Sequence, residues 1–301
     1  MISAAHKASV RTAVLTIPFL LVAVAVLQAR IDATTSSMAR PGQQLLLRSG
    51  AALKKISLGY NSLIADIYWT RAVQYYGARV VQSGANYDLL WPLLDVATTL
   101  DPHLIVAYRF GAIFLSEPYA GANRTDLAIE LVKRGIAANP KEWRLGTDLG
   151  LLYYLRMRDY PKAAEAYLDA SKNPEAPAWI KMLAARIAEK GGSLETSRVI
   201  WSELYQSTSD PTIKKNALKQ LASLKAQQDE SQLDELSAEY AKRFGHAPAK
   251  IQDLFAAGML QGIPVDPAGF PYLLGPNGKT RLNPASSVEI IPPPKLPAPT
   301  Q

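Results

Sequence analysis

The sequence predicts an all-α protein. Amphipathic helix pairs should follow one another in order, with an apolar helix before them and a small β-hairpin after them. Three observations carry this reading. Apolar residues recur near a 3.6-residue period through most of the chain. Asp–Pro or Asn–Pro pairs interrupt that pattern at Pro102, Pro140, Pro174 and Pro211, spaced 38, 34 and 37 residues apart, and a near-constant period is the mark of repeated units. An uncharged apolar run of 17 residues, Ala13–Ala29, precedes them.

Composition narrows the classes. The 301 residues hold ample length for a core. Lys and Arg number 33 against 26 Asp and Glu, a net charge of +7. The excess is scattered, with no run longer than Lys-Lys, so nucleic acid is not an expected partner. There is no Cys, which excludes disulfides and thiolate metal sites. The three His (His6, His103, His246) lie far apart in the chain.

Ala13–Ala29 would span about 26 Å as a helix, enough to cross a thin bilayer. Lys7 and Arg11 precede it, and Arg30 and Asp32 follow. Pro18 is tolerable in a membrane helix. A cleaved signal peptide is the rival reading. The imperfect cleavage sequence Leu27-Gln28-Ala29 favours an uncleaved anchor over residues 1–31. The positive-inside rule then puts a short N-terminus in the cytoplasm and the bulk outside it.

A juxtamembrane linker and leading helix should cover 32–64. Residues 45–77 read as a long amphipathic helix bearing Tyr68, Tyr75 and Tyr76 on its face. Repeats should fill 65–211. Each Asp–Pro or Asn–Pro should end one helix, because the residue before Pro avoids the α region. The same Pro should open the next helix.

The clearest unit is DLGLLYYLRMRDYPKAAEAYLDASKNP, 148–174. It holds Leu149-Gly150-x-x-Tyr153, a turn at Arg158-Asp159-Tyr160, then Ala163-x-x-x-Tyr167-x-x-Ala170 and Pro174. This resembles the tetratricopeptide repeat, a helix–turn–helix unit of about 34 residues. Ala128, Val132 and Gly135 hold the matching spacing before Pro140, and Ala97 before Pro102. The unit before Pro211 keeps only Thr196 and Ile200. The resemblance implies a TPR-like helical solenoid whose first helices line a concave protein-binding face. It places Tyr75, Arg79, Arg144, Thr147, Leu151 and Tyr154 on that face.

Two capping helices, Thr212–Gln227 and Glu230–Phe244, are expected within 212–246. Residues 247–284 read as a short helix and a hairpin. Asn277-Gly278 signals a two-residue type I′ turn, flanked by strands at Tyr272–Leu274 and Thr280–Leu282. A lone hairpin is marginal in water, so it should dock through Tyr272 and Leu274 on the last helices, or on a partner. The stretch Asp266-Pro267-x-Gly269-x-Pro271-Tyr272 is similar to the DP-x-G-x-PY signature of type II secretion pseudopilins. Asp266 and Asn277 are too few oxygen ligands for calcium. The Pro-rich tail, 285–301, has no core and should be extended or disordered.

No GxxxxGK[ST], GxSxG or HExxH motif is present. Paired acids such as Asp229-Glu230 and Asp234-Glu235 read as solvated helix faces. The expectation is therefore a non-enzymatic scaffold with protein partners and a membrane tether. No cofactor, metal or small-molecule substrate is expected. Two alternatives stand beside it. One is an assembly factor of a pilus, secretion or envelope-polysaccharide machine of a bacterial envelope. The other is an enzyme without a linear motif.

Overall fold

The computed structural model describes residues 17, 22–27, 30, 49–81, 86–275 and 277–293. The described chain is mostly helical. It divides into two compact units, residues 1–107 with 120–122, and residues 108–119 with 123–301.

In the first unit, α1 (Gly50–Ile56) and α2 (Asn61–Val80) both pack on α3 (Leu90–Leu100). The long helix expected over 45–77 is broken. Leu58 and Gly59 take φ of 51° and 92°, left-handed values that a helix cannot continue through. Leu90, Leu94, Val96 and Ala97 are fully buried and form the core with Ala65 and Ala72.

The division between the units falls within α4 (Ile105–Ser116). The second unit continues with α5 (Thr125–Ala138), α6 (Trp143–Leu151), α7 (Tyr160–Ala170), α8 (Ala178–Lys190), α9 (Leu194–Ser207) and α10 (Pro211–Phe244). From α5 to α10 each helix packs on the next. α6 runs on into a π-helical turn, Leu152–Met157, which stops where Arg158 turns left-handed at φ 53°. Asp159 then caps α7 by accepting a hydrogen bond from the Lys162 N–H.

Asp101 and Asn139 cap the ends of α3 and α5 as expected, whereas α7 and α9 stop earlier, at Ala170 and Ser207, and only Pro211 starts a helix. α4, α6 and α8 begin at Ile105, Trp143 and Ala178, several residues past Pro102, Pro140 and Pro174. The Asp or Asn ahead of the Pro shapes a separate turn in each case. Asp101 accepts from the His103 N–H at 2.9 Å, Asn173 from the Glu175 N–H at 2.9 Å, and the Asn139 carbonyl from Glu142 N–H at 3.0 Å.

The two expected capping helices are one. α10 runs unbroken for 34 residues. Its polar middle is held by partners: Gln227 donates to Glu189 of α8 at 3.0 Å, and Asp229 pairs with Lys225 at 2.6 Å. A final cluster docks α11 (Ile251–Ala256) and the hairpin on α10 through Leu233, Ile251, Leu254 and Tyr272. Strands β1 (Leu273–Leu274) and β2 (Thr280–Arg281) pair antiparallel, with Leu274 opposite Thr280. The turn is not type I′. The Gly275 N–H donates to the Lys279 carbonyl at 2.7 Å, so the loop is longer than two residues, and Gly278, at a φ of 72°, closes it by donating its N–H to the Gly275 carbonyl at 2.9 Å.

The expected membrane span lies largely outside the described residues. Ile17 and residues 22–27 are helical. Among the described residues no helix is long and apolar enough to cross a membrane.

Candidate functional site

The second unit carries a groove between α4 and α6. Successive residues on a helix face recur every three or four positions, and here Arg109, Ile113 and Ser116 of α4 face Asp148, Leu151 and Leu155 of α6 and its π turn. They enclose a cavity of about 270 Å³. Its apolar side chains remain open to solvent: Ile113 is 52% exposed, Leu151 44% and Leu155 40%.

Two ion pairs cross the groove. The Arg109 guanidinium reaches Asp148 at 2.7 Å, and Arg156 reaches Glu117 at 2.6 Å. Each joins residues 39 apart, with the charges reversed. The hydrogen bond to Asp148 raises the Arg109 pKa further, against the effect of its partial burial.

Below α6 lies Tyr167 of α7. Burial, aided by the charge of Asp148, pushes its hydroxyl up to about 12. A wider cavity, about 540 Å³, opens where the Asn139-Pro140 and Asn173-Pro174 turns meet Trp143 and Ala170. Asn173 ties the two turns by donating to the Lys141 carbonyl at 2.7 Å.

Within the second unit the expected face residues do not gather in one place. Leu151 lies in the α4–α6 groove. Arg144 is exposed at the start of α6, stacked on the Trp143 ring at 4.6 Å and paired with Glu142 at 3.1 Å. Thr147 spends its hydroxyl on the Arg144 carbonyl at 2.7 Å. Tyr154 turns away toward α7 and α8, its ring 5.8 Å from that of Tyr160 and 5.9 Å from the Lys190 ammonium. Burial there raises its pKa.

In the first unit Tyr75 is buried, at 6% exposure. Its hydroxyl donates to the Asn86 carbonyl at 3.1 Å and accepts from the Leu89 N–H at 3.3 Å. Arg79 covers its ring at 3.6 Å and donates to the same carbonyl at 2.6 Å. Tyr75 thus anchors the segment entering α3, and its ring is closed to a partner. The helical count that selected it carried no information on burial.

Sequence reasoning missed Arg109, Ile113, Glu117, Asp148, Leu155 and Arg156. A signal was available. Arg109 and Glu117 stand two helical turns apart, as do Asp148 and Arg156, so one shift of 39 residues matches opposite charges twice.

Of the hairpin residues, Tyr272 is 2% exposed and donates its hydroxyl to Asp229 at 3.0 Å. Leu274 packs on the same cluster. Asp266 shapes the preceding turn, its carboxylate accepting from the N–H groups of Ala268 at 2.8 Å and Phe270 at 3.0 Å. Among the described residues there is no group of three or more His, Asp or Glu that could hold a metal ion.

No protein-family model matches the chain, and no curated protein matches it.

Proposed function

We propose that this chain is a membrane-anchored, TPR-like scaffold that binds an apolar segment of a protein partner in the groove between α4 and α6. The observation that carries the reading is the row Ile113, Leu151 and Leu155, left exposed between two ion pairs that hold the groove walls. Apolar side chains on a rigid, pre-formed surface are what a docking segment needs, because little ordering cost remains to be met on binding.

The repeat design draws support from ties between alternate helices. The α4–α6 pairs join residues 39 apart. Between α8 and α10, Arg186 meets Gln220 and Met182 meets Asn216 at separations of 34. Similar offsets between alternate helices are what stacked two-helix units produce. The anchor rests on the Ala13–Ala29 run.

The test is recovery of stoichiometric companions from native membranes in mild detergent, for the natural chain and for Ile113→Asp with Leu155→Asp. The expected result is loss of a fixed-ratio companion while helical circular dichroism is kept. Equal recovery with both chains would remove the groove from partner binding.

A further inference from the structure

The C-terminal segment is expected to be extended or disordered, and residues 285–293 lie against the helices without forming helix or strand. They rest on α10 and α8, and the contacts are to main chain. The Ile291 N–H donates to the Ser223 hydroxyl at 2.9 Å. The Arg186 guanidinium donates to the Ile291 carbonyl at 3.4 Å and to the Pro292 carbonyl. One side-chain pair joins them, Glu289 with Lys219 at 2.8 Å.

The surface under this segment is held by hydrogen bonds of its own, within and between α8 and α10. Glu189 is a carboxylate with 2% side-chain exposure, paired with Arg186 at 2.9 Å. Its other oxygen accepts from Gln227 at 3.0 Å. Gln227 also donates to Ser223, itself 1% exposed, at 3.3 Å. A buried charge is tolerated when its hydrogen bonds are met, and these bonds aim the Arg186 guanidinium and the Ser223 hydroxyl outward. The segment itself is lightly held. Ile290 keeps 37% exposure, and none of residues 285–293 enters the buried core.

We infer that the α8–α10 face is a site for an extended, proline-containing peptide with an acidic residue ahead of its prolines, and that Glu289–Pro292 is an exchangeable occupant from the same chain. A partner segment of that chemistry would use the same atoms. Its main-chain N–H goes to Ser223, its carbonyls go to Arg186, and its acid goes to Lys219. Proline suits the carbonyl positions, since it keeps the acceptor, needs no N–H partner there and is already extended. The inference extends the scaffold reading to a second surface and uses none of the α4–α6 residues.

The experiment measures binding of a labelled peptide with the sequence of residues 285–297 to the purified full chain by fluorescence anisotropy. Two variants unseat the internal segment: Ile291→Pro, which removes the N–H bound to Ser223, and Glu289→Lys, which repels Lys219. Both should bind the peptide about tenfold more tightly than the natural chain, because an internal occupant lowers apparent affinity by the fraction of empty sites. Adding Arg186→Gln to either should abolish the gain. Equal binding to natural and unseated chains would overturn the inference, as would absence of binding to both unseated variants. Loss of folding in Glu289→Lys would also overturn it, by making the segment a fixed structural part. The Ile113→Asp with Leu155→Asp chain should bind the peptide like the natural chain, so failure of the groove reading and failure of this one are told apart.

Discussion

The ring of Tyr167 lies against the bare Cα of Gly150, so close that a Cβ at position 150 would stand 2.6 Å from Cδ2 and Cε2 of the ring. Real Cβ contacts do not come that near, and Tyr167 has little room to retreat, being 4% exposed within the core. Gly150→Ala should therefore destabilise the second unit by about 1–3 kcal/mol through overpacking. The better helix propensity of Ala offsets under about 1 kcal/mol of this. Denaturant unfolding of both chains checks it, and an unchanged midpoint would mean that α6 and α7 can shift apart freely.

Tyr167 also makes stability depend on alkaline pH. Its hydroxyl is pushed from 10.0 to about 12, by burial first and then by Asp148. The neutral form is favoured in the folded state, so the contribution is complete below 10 and is lost as pH rises through about 12. Tyr167→Phe should flatten that part of the stability curve. Tyrosinate absorbance followed alongside unfolding will show whether this ring ionises late.

The hairpin depends on one aromatic residue. Tyr272→Ala removes a side chain buried among Leu233, Ile251 and Leu254, and with it the bond to Asp229. A loss of about 3–5 kcal/mol is expected for that cluster. Hydrogen exchange should locate it: the Gly275 and Thr280 amides, bonded to Lys279 and Asp234, should lose protection before those of α7 and α8.

Acid should release the same hairpin. Burial opposes ionisation of Asp234, but the Thr280 N–H at 2.6 Å and the Lys279 ammonium at 3.0 Å outweigh it, and its pKa is lowered. A lowered folded value means that the contribution is present above the ordinary carboxylate range and is lost as pH falls through the folded value. Thr280 amide protection should hold at mildly acidic pH and drop below that range. In Asp234→Asn the protection should be weak throughout, with this step gone.

Charge inversion tests the groove walls. Arg109→Asp alone sets two carboxylates together and should destabilise the second unit. Adding Asp148→Arg should restore most of the loss. The coupling energy should be about 1 kcal/mol or less, since both side chains keep contact with water. A double-mutant cycle showing no coupling would detach this pair from the groove.

How much was legible beforehand varies by element. Helix ends at Asp101 and Asn139, and the start of α10 at Asp210-Pro211, could be read from single dipeptides, because a residue before Pro resists helical geometry whatever surrounds it. Gly150 and Tyr167 stand out as repeat-like positions within one unit, but their contact does not. The unbroken α10 could not be read either. Its middle, rich in Gln, Asp and Glu, reads as a solvated break until Glu189, Ser223 and Tyr272 are seen to meet Gln227 and Asp229. Tyr75 was misread for the same reason. Helical position fixes the direction of a side chain, while burial depends on what lies opposite.

By itself the sequence determined that most of the chain is helical, some of the helix ends, and which small and aromatic positions recur within a unit. These follow from steric rules acting over a few residues. The tertiary structure alone decided that Arg109 and Glu117 meet Asp148 and Arg156 across an open apolar groove, and that residues 289–292 lie on Arg186 and Ser223. Such contacts join residues 39 to 106 apart in the chain. They are set by the stacking of whole helices, which no local pattern encodes.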